Sequence, residues 1–99
     1  MPFDFSAADS GITIYRALRH DLRQTIINYI EENPGTTVTE MFCALRLEQS
    51  LCSQHLRILR DAGLVFSERD GKQQRYYLNT ENITAALEAA QELQSELQI

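Results

Sequence analysis

At 99 residues the chain has the length of one domain, large enough for a modest core and close to the size at which a partner subunit helps. With 43% hydrophobic and 23% charged residues it reads as globular. No apolar run approaches membrane-spanning length and the amino terminus lacks the blocks of a signal peptide, so a cytoplasmic protein without membrane contact is expected.

The net charge of −5 excludes a uniformly basic surface, so any polyanionic partner has to be met by a local patch. Residues 1–45 hold three cations and six acids, residues 46–77 six and four, and residues 78–99 none and four. Only the middle stretch is positive.

Taken in order, residues 1–10 set Phe3 and Phe5 among acidic and small residues, a weakly structured start suited to packing on a neighbour. Ile14, Tyr15 and Leu18 then fall at helical spacing over residues 12–19. A second helix is expected to begin at Asp21, with Gln24 three residues on in a capping-box arrangement and Leu22, Ile26, Ile27 and Ile30 as its buried stripe. Asn33-Pro34-Gly35 ends it, since proline removes a ladder donor and glycine permits the turn.

Thr37 and Glu40 form a stronger capping box. Val38, Met41, Phe42 and Leu45 behind it make an i, i+3, i+4, i+7 set, the face of a helix of about two turns. Arg46 and Leu47 alone separate it from the next helix, expected over about 48–62, whose stripe is Cys52, Leu56 and Leu59 with Ala62. Its other face carries Gln49, Ser50, Ser53, Gln54, Arg57 and Arg60. Two short helices, each apolar toward the other and joined by a tight turn, predict a helix-turn-helix.

Gly63 stands where a left-handed residue ends a helix. Val65, Phe66, Tyr76 and Tyr77 then favour strands around an Asp70-Gly71 turn, giving a hairpin over about 65–78 with Arg69 and Lys72 at its tip and Arg75 on the return strand. A last helix over about 80–98, capped by Thr80, carries the stripe Ile83, Leu87, Ala90, Leu93 and Leu97. So acidic a helix needs a groove or a twin, because helices draw most of their stability from packing.

The two cysteines, Cys43 and Cys52, form no C-x-x-C pair and predict neither a disulfide framework nor a zinc knuckle. Cys52 lies on the core stripe and reads as a small buried residue. Cys43 lies off its helix's apolar face, where an inert thiol and a redox or thiophilic-metal sensor are both open readings. His20 and His55 read as packing or hydrogen-bonding residues. There is no nucleophile-base-acid set, phosphate loop or pair of catalytic carboxylates, so the chain does not read as an enzyme.

V-T-E-M at residues 38–41, Q-S-L-C-S-Q-H-L-R-I-L-R-D-A-G-L-V at 49–65, the D-G turn and R-Y-Y-L at 75–78 resemble the ArsR/SmtB family of winged-helix transcriptional repressors. The resemblance runs from about Tyr15 to Leu78. It implies one domain over residues 1–99, mainly α with a small β-hairpin, in the order α-α-α-α-β-β-α. It also implies a homodimer built from the first and last helices on an inverted-repeat operator. Double-stranded DNA would then meet Gln49, Ser50, Ser53, Gln54 and Arg57 of the recognition helix and Arg69, Lys72 and Arg75 of the wing. The dimer would be held by Ile14, Leu18, Ile83, Leu87, Ala90, Leu93 and Leu97.

The family's metal positions fall here on Thr37 and Thr39, and on Thr80, Asn82, Leu93 and Glu96, which cannot replace thiolates or complete a carboxylate and imidazole set. No metal or other cofactor is expected, and the effector is not readable. Glu48 stands where relatives cap the recognition helix with serine or threonine, placing negative charge near the phosphate path and lowering the expected affinity. The competing reading is a winged-helix protein-docking module whose polar helix face is merely solvated.

Overall fold

The computed structural model describes residues 20–97, with side chains as far as Glu92 other than Ala90. Ile14 and Leu18, and the side chains of Ala90, Leu93 and Leu97, therefore lie outside the described residues. So does the helix expected over 12–19.

Helix α1 spans Asp21–Glu32 and buries Ile26, Ile27 and Ile30 completely. The expected Asp21 cap is displaced by one residue. His20 Nδ1 accepts the Leu22 N–H at 3.2 Å, leaving Asp21 in the first turn, where its charge suits the positive helix end. The helix stops at Asn33, and Gly35 takes the positive φ of 85° that the turn requires.

Helix α2 spans Val38–Leu45 behind the expected capping box. The Glu40 N–H donates to Thr37 Oγ1 at 3.2 Å and the Thr37 N–H donates to Glu40 Oε1 at 3.3 Å. Met41 is fully buried, with Val38, Phe42 and Leu45 packed around the core. Helix α3 spans Gln49–Asp61 and turns Cys52, His55, Leu56 and Leu59 inward.

Both helices end in the same way, with a left-handed residue and a pair of backward hydrogen bonds that satisfy the last carbonyls. After α3 the left-handed residue is Gly63, with Gly63 N–H to Arg60 O at 2.9 Å and Leu64 N–H to Leu59 O at 3.0 Å. After α2 it is Arg46, at φ 56° and ψ 44°, with Leu47 N–H to Phe42 O at 2.9 Å. Arg46 is the one non-glycine residue among those described with positive φ. Its Cβ crowds the following carbonyl, a cost of roughly 1 kcal/mol that the turn between α2 and α3 absorbs.

Strand β1, Val65–Asp70, pairs antiparallel with β2, Gln73–Leu78, from Val65 opposite Leu78 to Asp70 opposite Gln73. The turn is therefore Gly71-Lys72 and not Asp70-Gly71. Gly71 at φ 63° fills the first central position, which a two-residue turn of this kind reserves for glycine, and Asp70 is left in the ladder. On its other edge β2 forms a bridge between Tyr76 and Thr36, with Tyr76 N–H to Thr36 O and Gly35 N–H to Tyr76 O both 2.9 Å. The loop between α1 and α2 thus acts as a minimal third strand.

Helix α4 spans Thr80–Leu97. Asn79, not Thr80, caps it: Asn79 Oδ1 accepts the Asn82 N–H at 3.2 Å and its carbonyl accepts the Ile83 N–H at 3.0 Å. Ile83, Ala86 and Leu87 join the core of Ile26, Ile27, Ile30, Met41, Cys52, Leu56, Leu59, Leu64 and Val65. This corrects the expectation for Ile83 and Leu87. At 0% and 5% exposure they are covered within their own subunit and cannot also face a partner.

The described elements run α-α-α-β-β-α, mainly α with a small hairpin, and α2, its turn, α3 and the hairpin make a winged helix-turn-helix. Replacing Arg46 with glycine should relieve the left-handed strain. Urea unfolding is expected to show Arg46→Gly more stable than the parent by about 1 kcal/mol.

Candidate nucleic-acid interface

The outward face of α3 follows from what its inward face buries. With Cys52, Leu56 and Leu59 in the core, Ser50, Gln54 and Arg57 fall along the opposite line at i, i+4, i+7, and Gln49 and Ser53 lie beside them. All five are exposed. Arg57 Nε stands 4.0 Å from Asp61 Oδ2, but the two side chains are 79% and 72% exposed, so the pair is worth little and leaves the guanidinium available. Glu48 precedes the helix without a side-chain capping bond, so the first amide hydrogens of α3 receive no side-chain acceptor from it.

On the hairpin the three expected cations separate. Lys72 is exposed at the turn itself. Arg69 folds over the tip, its Nε donating to Gly71 O at 3.1 Å. Arg75 has different work: its Nε donates to Asp70 Oδ2 at 2.7 Å and its Nη1 to Gly35 O at 3.0 Å. The hydrogen bond that it donates to Asp70 raises the Arg75 pKa above its ordinary value, so the guanidinium is held charged and already paired. Arg75 thus ties the wing to the loop before α2. Among the described residues, Arg69 and Lys72 are the hairpin cations without a carboxylate partner.

The wing tip comes down beside the start of α2. Lys72, Gln73, Gln74 and Tyr76 share with Thr37, Val38 and Thr39 a shallow groove of about 270 Å³. Thr37 Oγ1 is engaged by Glu40, donating to Oε1 at 3.0 Å while accepting the Glu40 N–H. Asn82 Nδ2 donates to Gly63 O at 2.9 Å, fastening α4 to the end of α3. Two of the positions matching the family's metal ligands are therefore occupied by helix-end hydrogen bonds. Neither offers a thiolate, imidazole or carboxylate, so these two positions do not fit the family's metal.

Behind α3 lies a cluster that sequence reading left as separate residues. His55 is 7% exposed, Arg23 Nε on α1 donates to its Nδ1 at 3.2 Å, and the His20 ring lies 4.8 Å away, tilted by 47°. Burial, then the charges of His20 and Arg23, push the His55 pKa below 6.5. The two histidines are 35 positions apart, and only the packing of α1 on α3 brings them together. Cys52 is buried, which raises its thiol pKa, whereas Cys43 is exposed.

Known proteins resemble this chain in sequence and fold. A profile of bacterial regulatory proteins of the arsR family matches residues 20–67. The HTH-type transcriptional regulator YgaV of Escherichia coli is 30% identical over 82 residues, 83% of this chain and 83% of the relative. The HTH-type transcriptional regulator NmtR of Mycobacterium tuberculosis is 33% identical over 89 residues, 90% and 73% of the two chains. Among solved structures, HlyU from Vibrio cholerae superposes with a TM-score of 0.68 at 27% identity, covering 89% of this chain and 95% of that one.

Removing Arg75 should free the wing without unfolding the core. In Arg75→Ala, hydrogen exchange at the Gly35 and Tyr76 amides is expected to quicken while exchange at Leu56 and Leu59 stays at the parent rate. Unchanged protection at Gly35 and Tyr76 would show that the bridge to Thr36 holds the wing unaided.

Proposed function

This chain belongs to the ArsR family of bacterial regulatory proteins and is a DNA-binding transcription regulator, not an enzyme, and on that basis we propose that it represses transcription as a homodimer on an inverted-repeat operator. One observation carries the reading of the surface: the exposed line Ser50, Gln54, Arg57 on α3 and the exposed cations Arg69 and Lys72 on the wing belong to the only positive stretch of an acidic chain. Gln54 is the side chain suited to a paired contact with adenine, and Ser50 and Ser53 to a base edge or phosphate. Arg57 and Lys72 hold the backbone, with Gln49 and Arg69 beside them. Arg75 acts through the wing it anchors.

The pairing of subunits rests on α4. Its 18 residues make a helix of about 27 Å, and among its described side chains those that the core buries, Ile83, Ala86 and Leu87, lie in its first half. The apolar stripe of the sequence continues through Ala90, Leu93 and Leu97, which together with Ile14 and Leu18 supply the dimer surface. An isologous pair sets twin recognition helices about one DNA turn apart, which is what a palindromic site needs. No metal of the family's kind takes part, for the reasons given at Thr37 and Asn82. Family membership favours this reading over a protein-docking module.

Selection of bound fragments from random duplex DNA tests it. A palindromic sequence should be enriched, and fluorescence anisotropy on that sequence should show affinity falling steeply as salt rises. Arg57→Ala and Lys72→Ala are expected to weaken binding to all sequences and to lower the salt slope by about 1 each. Gln54→Ala should instead relax one base position by about 1–3 kcal/mol. Failure to enrich any sequence, with binding indifferent to salt, would refute the DNA surface. Sedimentation giving a stable monomer at micromolar concentration would refute the dimer.

A further inference from the structure

The contact between α1 and α3 is mostly apolar: Ile26, Ile27 and Ile30 share one buried cluster with Cys52, Leu56 and Leu59. Such contacts hold two helices together but are not directional, so they leave small rotations of α3 about its axis weakly resisted. A directional contact is added at the Arg23 to His55 hydrogen bond, 3.2 Å long and part-buried, with His55 itself 7% exposed. His55 sits among the exposed residues that meet DNA, one residue from Gln54 and two from Ser53 and Arg57. A rotation that breaks its bond carries all three with it.

The chemistry of that bond allows only one charge state. A guanidinium donates and cannot accept, so His55 Nδ1 has to present its lone pair. A proton on Nδ1 would remove the acceptor and set a second cation against Arg23 in a poorly hydrated place. The titratable and charged groups facing His55 are Arg23 on α1 and His20 at its cap. Its neighbours along α3 on the same side, Leu51 and Ile58, are apolar.

We infer that Arg23 and His55 are positioning residues for DNA binding, holding the recognition helix in its binding pose only while His55 is uncharged, so that acidification releases the operator. This rests on the DNA-binding reading above and adds a proton as a ligand that opposes it. The folded protein holds His55 below the unfolded value of 6.5, so the pair contributes fully above that pH. The contribution is lost as pH falls through the lower, folded value. Protonation of an exposed imidazole would act the other way, since added positive charge strengthens binding to a polyanion. The direction of the pH effect therefore separates His55 from a general charge effect.

The test uses the full chain and a fluorescein-labelled duplex carrying the sequence enriched by selection. Anisotropy is measured at pH 7.5 and at the lowest pH at which circular dichroism still reports the native helix content. Parent protein should lose about fivefold in affinity on acidification, the lower end of ordinary coupling between two sites. His55→Asn keeps an acceptor near the Nδ1 position but cannot take a proton there, so its affinity should no longer fall on acidification, whatever its absolute size. Arg23→Met should bind more weakly than the parent at pH 7.5 and show a smaller drop. Parent affinity that is flat or rises on acidification overturns the inference, as does a full drop retained by His55→Asn. If His55→Asn does not fold, Arg23→Met decides, and parent-like affinity with a parent-like pH response overturns it. Absence of binding by the parent at pH 7.5 would instead count against the DNA-binding reading itself.

Discussion

One helix has to be dry on one side and wet on the other, and the remaining elements are arranged to make that possible. Cys52, Leu56 and Leu59 of α3 are buried against the isoleucines of α1, and Met41 of α2 closes the same cluster. Once those side chains are inward, the 3.6-residue period leaves Ser50, Gln54 and Arg57 no direction but out. The polar face of the recognition helix is thus a consequence of core packing. A mutation that lets α3 roll would turn that face without altering any residue on it.

The wing is held by a different kind of force. Its tip is polar and exposed, and hydrophobic burial near Val65 does not reach it. Backbone pairing of Tyr76 with Thr36 and the grip of Arg75 on Asp70 and on the Gly35 carbonyl fasten β2 to the loop that opens α2. Gly35 is needed there twice, for its positive φ and because a Cβ would come within 3.3 Å of the Tyr77 hydroxyl. Wing and helix-turn-helix therefore share one anchor, and the spacing between Lys72 and the start of α2 is set by hydrogen bonds.

Charge is spent unevenly on this framework. The chain carries −5 overall, yet Arg57, Arg69 and Lys72 lie exposed on the face that the framework presents. Acid placed elsewhere turns that face toward a polyanion and weakens attraction in every other orientation. The cost is weaker attraction to a polyanion in general, and under the proposed function this makes contacts from Gln54 and its neighbours count for more in choosing a site.

Periodicity alone was enough for the helices, the hairpin and the outward residues of α3, because each helix here is amphipathic and its buried stripe needs no knowledge of its neighbour. The Thr37 to Glu40 box was equally legible, since both partners lie within one turn of chain. Features that depend on a second element were not. The caps at His20 and Asn79 each sit one residue before the expected residue, and the hairpin turn moved to Gly71-Lys72. Local composition ranks such neighbours nearly equally, and register against the core selects among them. Arg46 in a left-handed conformation has no local signal at all; the short connection between α2 and α3 imposes it. Arg75 as an anchor, the Arg23 to His55 bond and the burial of Ile83 and Leu87 within the subunit join residues far apart in the chain, 40 positions in the case of Arg75 and Gly35. Residue types and periods decide which side chains can be buried, but only the packed chain decides what they are buried against.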